Sequence, residues 1–213
     1  MRVLVLSDIH GNLPSLEYII KNEKSVDLII SLGDVVNYGP WSNECVDVLE
    51  TLDNKVLIMG NHEEAFISGI YPGNNIIAKT FFEQCYPEFS KKEKIENYLK
   101  AYSLGNSDFV HTLNDTYIFP DSEVEIQKNT FIGHSHRMFS KVAGDYRLVN
   151  VGSAGQNRLN IDEINYVIWD TEKDSVELIK KIFSADKLIK EMKQRKYPDL
   201  CIEYILSKRN SLL

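Results

Sequence analysis

The stretch that decides the fold is MRVLVLSDIHGN, residues 1–12. Its apolar run at 3–6 is rich in valine and leucine, which is typical of a strand buried on both faces of a sheet. The run ends abruptly at Ser7, and Gly11 allows the backbone to turn sharply. Asp8 and His10 lie two residues apart, so their side chains project to the same side if the strand geometry persists. We therefore predict a buried strand that delivers a carboxylate and an imidazole to one place.

Three later apolar runs, at 28–32, 56–59 and 130–132, repeat this design. Polar residues follow each run at once: Gly33-Asp34, then Gly60-Asn61-His62-Glu63, then Gly133-His134-Ser135-His136. Helices are predicted between the first three strands, at 14–23 with Asn12 as the cap and at 43–52. Strands that alternate with helices indicate a parallel sheet, in which ligands bind at the carboxyl ends of the strands. The polar clusters all lie at such ends.

The whole chain, residues 1–213, is predicted to form a single α/β domain with a helical insertion at 65–105 and a helical tail at 184–213. The insertion contains predicted helices at 76–85 and 90–102, and it either caps the cleft or forms a plain helical layer on the sheet. Ser184 is a suitable cap for the first tail helix, and Pro198 opens the second. Further strands are predicted at 108–110, 116–119, 147–151, 164–169 and 175–180, with a hairpin turn joining the last two.

Composition and charge bound the class of protein. The chain is 43% hydrophobic and 26% charged, which is ordinary for a folded soluble protein. Its net charge of −7 argues against nucleic-acid binding by a basic surface. No apolar run is long enough for a signal sequence or a membrane span, and the three scattered cysteines predict neither a disulfide framework nor a zinc site. We expect a cytoplasmic protein with no stable nucleic-acid partner and no membrane partner.

Four of the five histidines lie in the polar clusters, and the fifth, His111, follows the predicted strand at 108–110. Taken singly, each would more often be a structural or surface residue than a metal ligand. Together with nearby carboxylates and an amide they form a mixed nitrogen and oxygen set, which suits Mn²⁺, Fe or Zn²⁺, with Ni²⁺ as a further option, rather than Ca²⁺. The seven candidate ligands exceed what one tetrahedral ion takes, and they fit two ions that share a carboxylate. They are Asp8, His10, Asp34, Asn61, His111, His134 and His136.

The four polar clusters, in this order, resemble the motifs of the calcineurin-like metallophosphoesterase superfamily. The segments GDVVNYGP at 33–40 and NVGSAGQ at 150–156 further resemble those of its small bacterial and archaeal phosphodiesterase branch. The resemblance spans roughly residues 1–160. It implies a four-layer αββα sandwich, in which two facing mixed β-sheets are flanked by helices and the metals lie in a cleft at the strand ends.

The same resemblance implies a role for each site residue. One metal ion would be held by Asp8, His10 and His136, and the other by Asn61, His111 and His134. Asp34 would bridge the two divalent ions, for which Mn²⁺ is the first choice. His62 would not bind metal but would face the substrate phosphate and assist the leaving group, oriented by Glu63. His111 departs from the family pattern, because His-Thr-Leu stands where the family usually has His-Gly followed by small residues.

The expected reaction is hydrolysis of a small phosphoester, with nucleotide-like compounds among the candidates and diesters preferred, by metal-activated water. The alternatives are a phosphomonoesterase or protein phosphatase, and a non-catalytic scaffold of the same fold. A dinuclear amidohydrolase is disfavoured because the first strand is followed by Asp-Ile-His instead of His-x-His. Two further residues are candidates for substrate binding. Arg137 could contact a phosphate or be a solvated surface residue, and Tyr38 could stack on an aromatic group or simply pack its loop.

Overall fold

The structure, a computed structural model, describes residues 1–209. Its strands are β1 (Arg2–Leu6), β2 (Leu28–Ser31), β3 (Lys55–Leu57), β4 (Ala101–Leu104), β5 (Ser107–Val110), β6 (Asn129–Ile132), β7 (Phe139–Ala143), β8 (Tyr146–Asn150), β9 (Glu163–Asp170) and β10 (Ser175–Ile182). Its α-helices are α1 (Leu13–Asn22), α2 (Ser42–Glu50), α3 (Asn61–Ser68), α4 (Ile76–Cys85), α5 (Lys92–Ile95), α6 (Asp186–Gln194) and α7 (Asp199–Leu206). A short 3-10 turn follows α4 at Tyr86–Glu88.

The strands form two mixed five-stranded sheets. The first has the order β10-β9-β1-β2-β3, in which β1 runs parallel to β2 and antiparallel to β9. The second has the order β4-β5-β6-β8-β7, in which β6 runs parallel to both of its neighbours. The predicted α/β fold with two mixed sheets is therefore confirmed. The parallel strands at the centre of each sheet bring their carboxyl ends to the same edge.

The alternation of side chains along β1 explains why its whole run is apolar. Leu4 and Leu6 face the helices that cover the outer side of the first sheet, whereas Val3 and Val5 face the second sheet. Both faces are thus buried, as expected of a central strand. Between the sheets, the rings of Phe109 and Phe131 stack with their centroids 4.8 Å apart. This shared core fixes the two sets of strand ends relative to each other.

The outer face of the second sheet is covered by irregular chain. Residues 113–126 cross this face, and Ile118 packs there with side chains from the sheet. The predicted strand at 116–119 is wrong, because this segment pairs with no strand. Its backbone is held instead by side chains: Ser135 donates its hydroxyl proton to the carbonyl of Ile118. Among the described residues, the fourth layer of the sandwich is therefore built from a loop.

The predicted helix at 90–102 is also wrong. Only Lys92–Ile95 is helical, and β4 begins at Ala101. Between them, Leu99 lies beside β3: its amide donates to Leu57, and its carbonyl accepts from Met59. Pairing with the exposed edge of the first sheet has outweighed helix propensity here. A strand that the sequence did not predict, β7, forms the opposite edge of the second sheet.

The other predicted helices form close to their expected bounds. Asn12 caps α1 by accepting a hydrogen bond from the Ser15 amide. In the predicted tail, Pro198 precedes α7 and α6 begins at Asp186, whose amide donates to the Ser184 hydroxyl. Residues 210–213 of that tail lie outside the described residues. Within residues 1–209, none of the helices combines the length and the apolar character that crossing a membrane requires.

Candidate metal centre

The ends of β1, β2, β3, β5 and β6 meet in one cleft, where the polar clusters lie side by side. Five of the candidate ligands have left-handed backbone conformations, which aspartate and histidine adopt more readily than most residues but which still cost energy. They are Asp8 (φ 56°), His10 (φ 49°), Asp34 (φ 54°), His134 (φ 66°) and His136 (φ 58°). These turns reverse the chain directly after each strand and aim the side chains into the cleft.

The first group of ligand atoms belongs to Asp8, His10 and His136, which are all buried. The Nε2 atoms of the two histidines lie 3.3 Å apart. Asp8 Oδ1 is 3.1 Å from His136 Nε2 and 3.7 Å from His10 Nε2. Three donor atoms within 4.8 Å of one another can share a single cation.

The second group belongs to Asp34, His111 and His134. His111 Nε2 lies 3.1 Å from His134 Nδ1 and 3.2 Å from the side-chain oxygen of Asn61. Asp34 Oδ2 is 3.3 Å from the same His111 nitrogen. His111, whose sequence context departs from the family pattern, therefore stands in the middle of this group.

Asp34 lies between the two groups. Its Oδ2 atom is 3.8 Å from His10 Nε2 in the first group and 3.3 Å from His111 Nε2 in the second. Its other oxygen, Oδ1, accepts a hydrogen bond of 2.9 Å from the backbone amide of His62. One carboxylate oxygen is thus anchored to the protein, and the other is within reach of ions in both groups.

Backbone carbonyl groups fix the tautomers of three of these histidines. The Nδ1 atoms of His10, His111 and His136 lie 3.1, 3.0 and 2.5 Å from the carbonyl oxygens of residues 36, 32 and 156. A carbonyl only accepts, so each Nδ1 carries a proton, and in the neutral form of each ring Nε2 is the atom with the lone pair that can bind a metal ion. This is the arrangement of metal-bound histidines, in which the outer ring nitrogen donates to a carbonyl or carboxylate.

The electrostatics of the cleft also fit cations. Burial lowers the pKa of His134 to about 4 and that of His10 well below its usual value, so both rings are neutral at pH 7. Burial also lowers the pKa of His111, but the Asp34 carboxylate more than compensates and brings it to about 9, so this ring must release its Nε2 proton when a metal ion binds. Asp8 Oδ1 faces the unprotonated Nε2 of His136 and accepts no hydrogen bond within the described chain. A buried carboxylate oxygen surrounded by lone pairs suits a metal ion.

The loop at 150–156 supports this cleft. Asn150 donates to the Gly133 carbonyl at 2.7 Å, and Ser153 donates to the Asp8 carbonyl at 2.7 Å. Gly155 passes so close to β1 that a Cβ atom on it would lie 1.9 Å from the Ile9 carbonyl oxygen. The sequence analysis assigned no chemistry to this loop, and the structure shows it bracing the turns that carry the ligands.

His62 lies beside both groups, and its Nε2 atom is 4.0 Å from Asp34 Oδ2. Its Nδ1 atom contacts Asn37 Nδ2 at 2.9 Å, so Asn37, not Glu63, is the side chain that orients the ring. The expected contact of Glu63 with His62 is wrong. The sequence analysis missed the role of Asn37, although the residue stands inside the 33–40 motif.

Glu63 has a structural role: its buried carboxylate accepts hydrogen bonds from four backbone amides. Glu63 Oε2 accepts from Gly60 and Asp34 at 2.7 Å each, and Oε1 accepts from Val35 and Val36 at 2.8 and 3.1 Å. These bonds tie the turn that carries Asp34 to the start of α3. Burial and the nearby charge of Asp34 nevertheless raise the pKa of Glu63 to about 7.

Of the cavities that border the ligands, two share Asn61. The larger, of about 310 Å³, is lined by His111 and His134 together with Glu64, Lys100 and Asp115. The smaller, of about 150 Å³, is lined by His62, Tyr38 and several other tyrosines. The two cavities give a substrate access to the cleft from both sides of Asn61.

The two candidate substrate-binding residues lie in different places. Tyr38 is buried beside the first ligand group, with its ring 4.8 Å from that of His10, and it lines the smaller cavity. Arg137 lines a third cavity, which borders His136 but contains neither His62 nor Asn61. The arginine in the cavity with His62 is Arg158. Its only sequence signal is its position just after the 150–156 motif.

A family model described as calcineurin-like phosphoesterase matches residues 1–200. The chain belongs to this family. Calcineurin-like phosphoesterases use divalent metals, and the aspartate and histidine groups described above could hold them. The resemblance inferred from the ordered motifs is therefore confirmed.

Two solved structures share the fold of this chain, and a further protein is similar to it in sequence. The chain is similar to a metallophosphoesterase from Sphaerobacter thermophilus, with a TM-score of 0.77 and 21% identity over 98% of this chain and 100% of that one. It is similar to a hypothetical protein from Pyrococcus horikoshii, with a TM-score of 0.79 and 17% identity over 96% and 97%. An uncharacterized protein of Methanocaldococcus jannaschii is 26% identical over 92% of this chain and 94% of its own length.

Proposed function

We propose that this calcineurin-like phosphoesterase is a cytoplasmic phosphodiesterase that works with two divalent metal ions, of which Mn²⁺ is the first choice and Fe, Zn²⁺ and Ni²⁺ are alternatives. When bound, two such ions would neutralise the phosphoryl charge and lower the pKa of a water molecule. The cytoplasmic location is supported by the three cysteines, which are all buried and free, as is typical of a reducing compartment.

The observation that carries the proposal is the position of Asp34 Oδ2, within 3.8 Å of ring nitrogens in both ligand groups. It supports a shared carboxylate between two ions. We assign the first ion to Asp8, His10 and His136, and the second to Asn61, His111 and His134. Imidazole, carboxylate and amide ligands favour transition metals over Ca²⁺.

We assign to His62 the protonation of the leaving oxygen. Asn37 donates to Nδ1, so a neutral His62 ring carries its proton on Nε2, the atom on the Asp34 side of the ring. The backbone amide of His62 is tied to Asp34, so the ring and the ligand groups keep a fixed separation. Glu63 contributes by holding the turn that carries Asp34.

The preference for diesters is supported by the two cavities that meet at Asn61. A diester has two arms, and each cavity can accept one of them, whereas a monoester would fill only one. A small, nucleotide-sized substrate also fits these cavities, whose volumes are about 310 and 150 Å³. A non-catalytic scaffold is disfavoured because all of the assigned ligands and His62 are present and close together.

A direct test compares bis(4-nitrophenyl) phosphate with 4-nitrophenyl phosphate, with Mn²⁺ and with a chelator. We expect metal-dependent hydrolysis with a higher kcat/KM for the diester. A higher kcat/KM for the monoester would favour a phosphomonoesterase instead. Metal-replete protein that hydrolyses neither ester would contradict the proposal.

The variant His62→Gln tests the assigned proton donor. An alkoxide needs a proton more than nitrophenolate does, so we expect the variant to lose about 100-fold or more in kcat on an alkyl diester. The loss on the nitrophenyl diester should be smaller. Metal content, measured by mass spectrometry of the digested protein, should match that of the wild type. An equal loss on both substrates would argue against the role.

A further inference from the structure

The smaller cavity beside His62 has an unusual lining. We name it the tyrosine–arginine pocket and define it by Tyr38, His62, Tyr71, Tyr117, Arg158 and Tyr204. It lies between the metal cleft, the segment leading into α4, and helix α7. Its volume of about 150 Å³ is comparable to that of a cavity that admits benzene. The pocket can therefore take one phosphate group or a single ring, but not a whole nucleoside.

Arg158 is the only lysine or arginine among the residues that line this pocket, and within residues 1–209 it pairs with no carboxylate. Its Nε atom is buried and has no hydrogen-bond partner, and Arg158 forms no ion pair within residues 1–209. Leaving a partly buried guanidinium donor unpaired is costly unless a ligand completes the site. Its planar fork of donors matches phosphate oxygens in particular.

Tyr117 positions the guanidinium. The central carbon of the Arg158 guanidinium lies 5.4 Å from the Tyr117 ring centroid, within the range of a cation–π contact. Tyr117 also stacks on His134, whose ring centroid lies 4.2 Å away at an interplanar angle of 20°. Tyr117 therefore contacts both the candidate metal ligand His134 and the unpaired Arg158. It links the metal cleft to the pocket and holds the guanidinium beside the cleft.

The remaining polar groups of the pocket can also donate. The Tyr204 hydroxyl accepts a hydrogen bond from Gln156 at 3.2 Å, so its own proton is free for another acceptor. No aspartate or glutamate lines this pocket. The larger cavity on the other side of Asn61 is lined by Glu64 and Asp115, and its Lys100 is paired with Glu64. An anionic group is thus favoured on the Arg158 side of the cleft and disfavoured on the other side.

We propose that Arg158 selects diesters whose leaving arm carries a second phosphate, bound in the tyrosine–arginine pocket. This inference rests on the proposed function. His62 lines the same pocket, so the arm bound there is the one that receives the proton and departs. The larger, uncharged arm occupies the cavity beside Glu64 and Asp115. Water adds to the scissile phosphorus, the bond to the leaving oxygen breaks, and the products are a phosphorylated alcohol and a monoester.

The test uses two thymidine 5′-phosphodiesters that share the nucleoside arm. One has a 2-phosphonoethyl leaving arm and the other an uncharged butyl arm of similar length. With Mn²⁺-loaded protein, chromatography should show thymidine monophosphate as a product of both. We expect kcat/KM to be at least tenfold higher for the phosphonoethyl diester, because it alone can pair with Arg158.

Two variants locate the effect. Arg158→Gln should bring the ratio of the two kcat/KM values close to one, and Arg158→Lys, which keeps the charge but loses the fork, should give an intermediate ratio. Arg147→Gln is the matched control: its side chain pairs with Asp174 and lines neither cavity that shares Asn61, so the ratio should stay at the wild-type value. Equal metal content in all proteins would exclude an indirect effect.

The outcomes separate the two proposals. Cleavage of both diesters at equal kcat/KM by the wild type, or an unchanged ratio in Arg158→Gln, overturns the selection by Arg158 and leaves the phosphodiesterase proposal standing. Absence of cleavage of either diester, and of the nitrophenyl diester, by metal-replete protein overturns the phosphodiesterase proposal and this inference with it.

Discussion

Asn37 holds the ring of His62 through a contact of 2.9 Å between its Nδ2 atom and Nδ1 of the histidine. The backbone of Asn37 is in a left-handed conformation, and its backbone N–H donates to the Ser42 hydroxyl at 3.0 Å. The orienting side chain is therefore fixed at both its backbone and its tip. His62 depends on a residue of the turn after β2, although it belongs to α3.

Replacing Asn37 by alanine should free the His62 ring. We expect kcat on an alkyl diester to fall by about 10-fold or more, since a positioned acid contributes about 10²–10⁴-fold and a mobile one contributes less. Steady-state kinetics with Mn²⁺ would measure the effect. Asn37→Asp, whose carboxylate can only accept, would move the proton of a neutral ring from Nε2 to Nδ1, so this variant should not recover the activity. A normal rate in Asn37→Ala would show that His62 needs no orienting partner.

Mn²⁺ should stabilise the folded protein, because an ion bound only in the native state raises the free energy of unfolding. At a concentration 100 times the dissociation constant the gain is about 2.7 kcal/mol. Thermal unfolding monitored by circular dichroism would show a Tm that rises with Mn²⁺ and falls on chelation. In Asp34→Asn, which weakens the shared ligand, the rise should be much smaller. An equal rise in both proteins would place the ions elsewhere.

Glu63→Gln should destabilise the fold. The carboxylate accepts four backbone hydrogen bonds, and an amide NH2 would face some of these donors with protons of its own. Hydrogen bonds to a charged group contribute about 1.5–3 kcal/mol, so we expect a loss of about 3 kcal/mol in urea unfolding. The exposed neighbour Glu64 provides the control, since Glu64→Gln should change stability by less than about 0.5 kcal/mol. Similar losses in the two variants would refute the assignment.

Asp162 should make stability depend on pH. Partial burial raises the pKa of its carboxyl, but hydrogen bonds from Arg209 and the Ala185 amide outweigh burial and bring the pKa below its usual value. A carboxyl with a lowered folded-state pKa stabilises the protein above its unfolded pKa of about 3.9, and this gain disappears as pH falls through the folded value.

We therefore expect Asp162→Asn to cost about 1–2 kcal/mol at pH 7 and progressively less below pH 4. Urea unfolding of both proteins across this range would measure the difference. Glu177→Gln, on an exposed position of β10, serves as a control for loss of a carboxylate. A difference between wild type and Asp162→Asn that stays constant from pH 7 to pH 3 would contradict the linkage.

The central strands and the ligand positions could be predicted because both depend on residues that are adjacent in the sequence. A strand buried on both faces needs a continuous apolar run, and its carboxyl end is marked where the run stops, as at Ser7. Asp8 and His10 follow at once, and the order of the other clusters supplied the rest. His111, whose neighbours depart from the family pattern, also lies in the cleft, beside Asp34 and His134.

The parts that failed depend on contacts between distant segments. Leu99 extends because the edge of β3 offers it hydrogen bonds, and nothing in its neighbourhood signals this. Arg158 lines the His62 cavity because the 150–156 loop packs against the turn after β1, at Ile9, and because Tyr117 approaches from the segment over the second sheet. Asn37 was overlooked for a related reason, since its target belongs to another element.

The left-handed backbone at five candidate ligands has an evolutionary consequence. A non-glycine residue in this conformation costs of the order of 1 kcal/mol or more, and glycine avoids most of that cost. Substitution of Asp8 or His134 by glycine would therefore relieve backbone strain and favour the folded state, but it would remove a candidate metal ligand. Keeping Asp8 and His134 despite this cost in stability requires purifying selection for their function. The presence of both residues in a homologue therefore indicates that the homologue has kept that function.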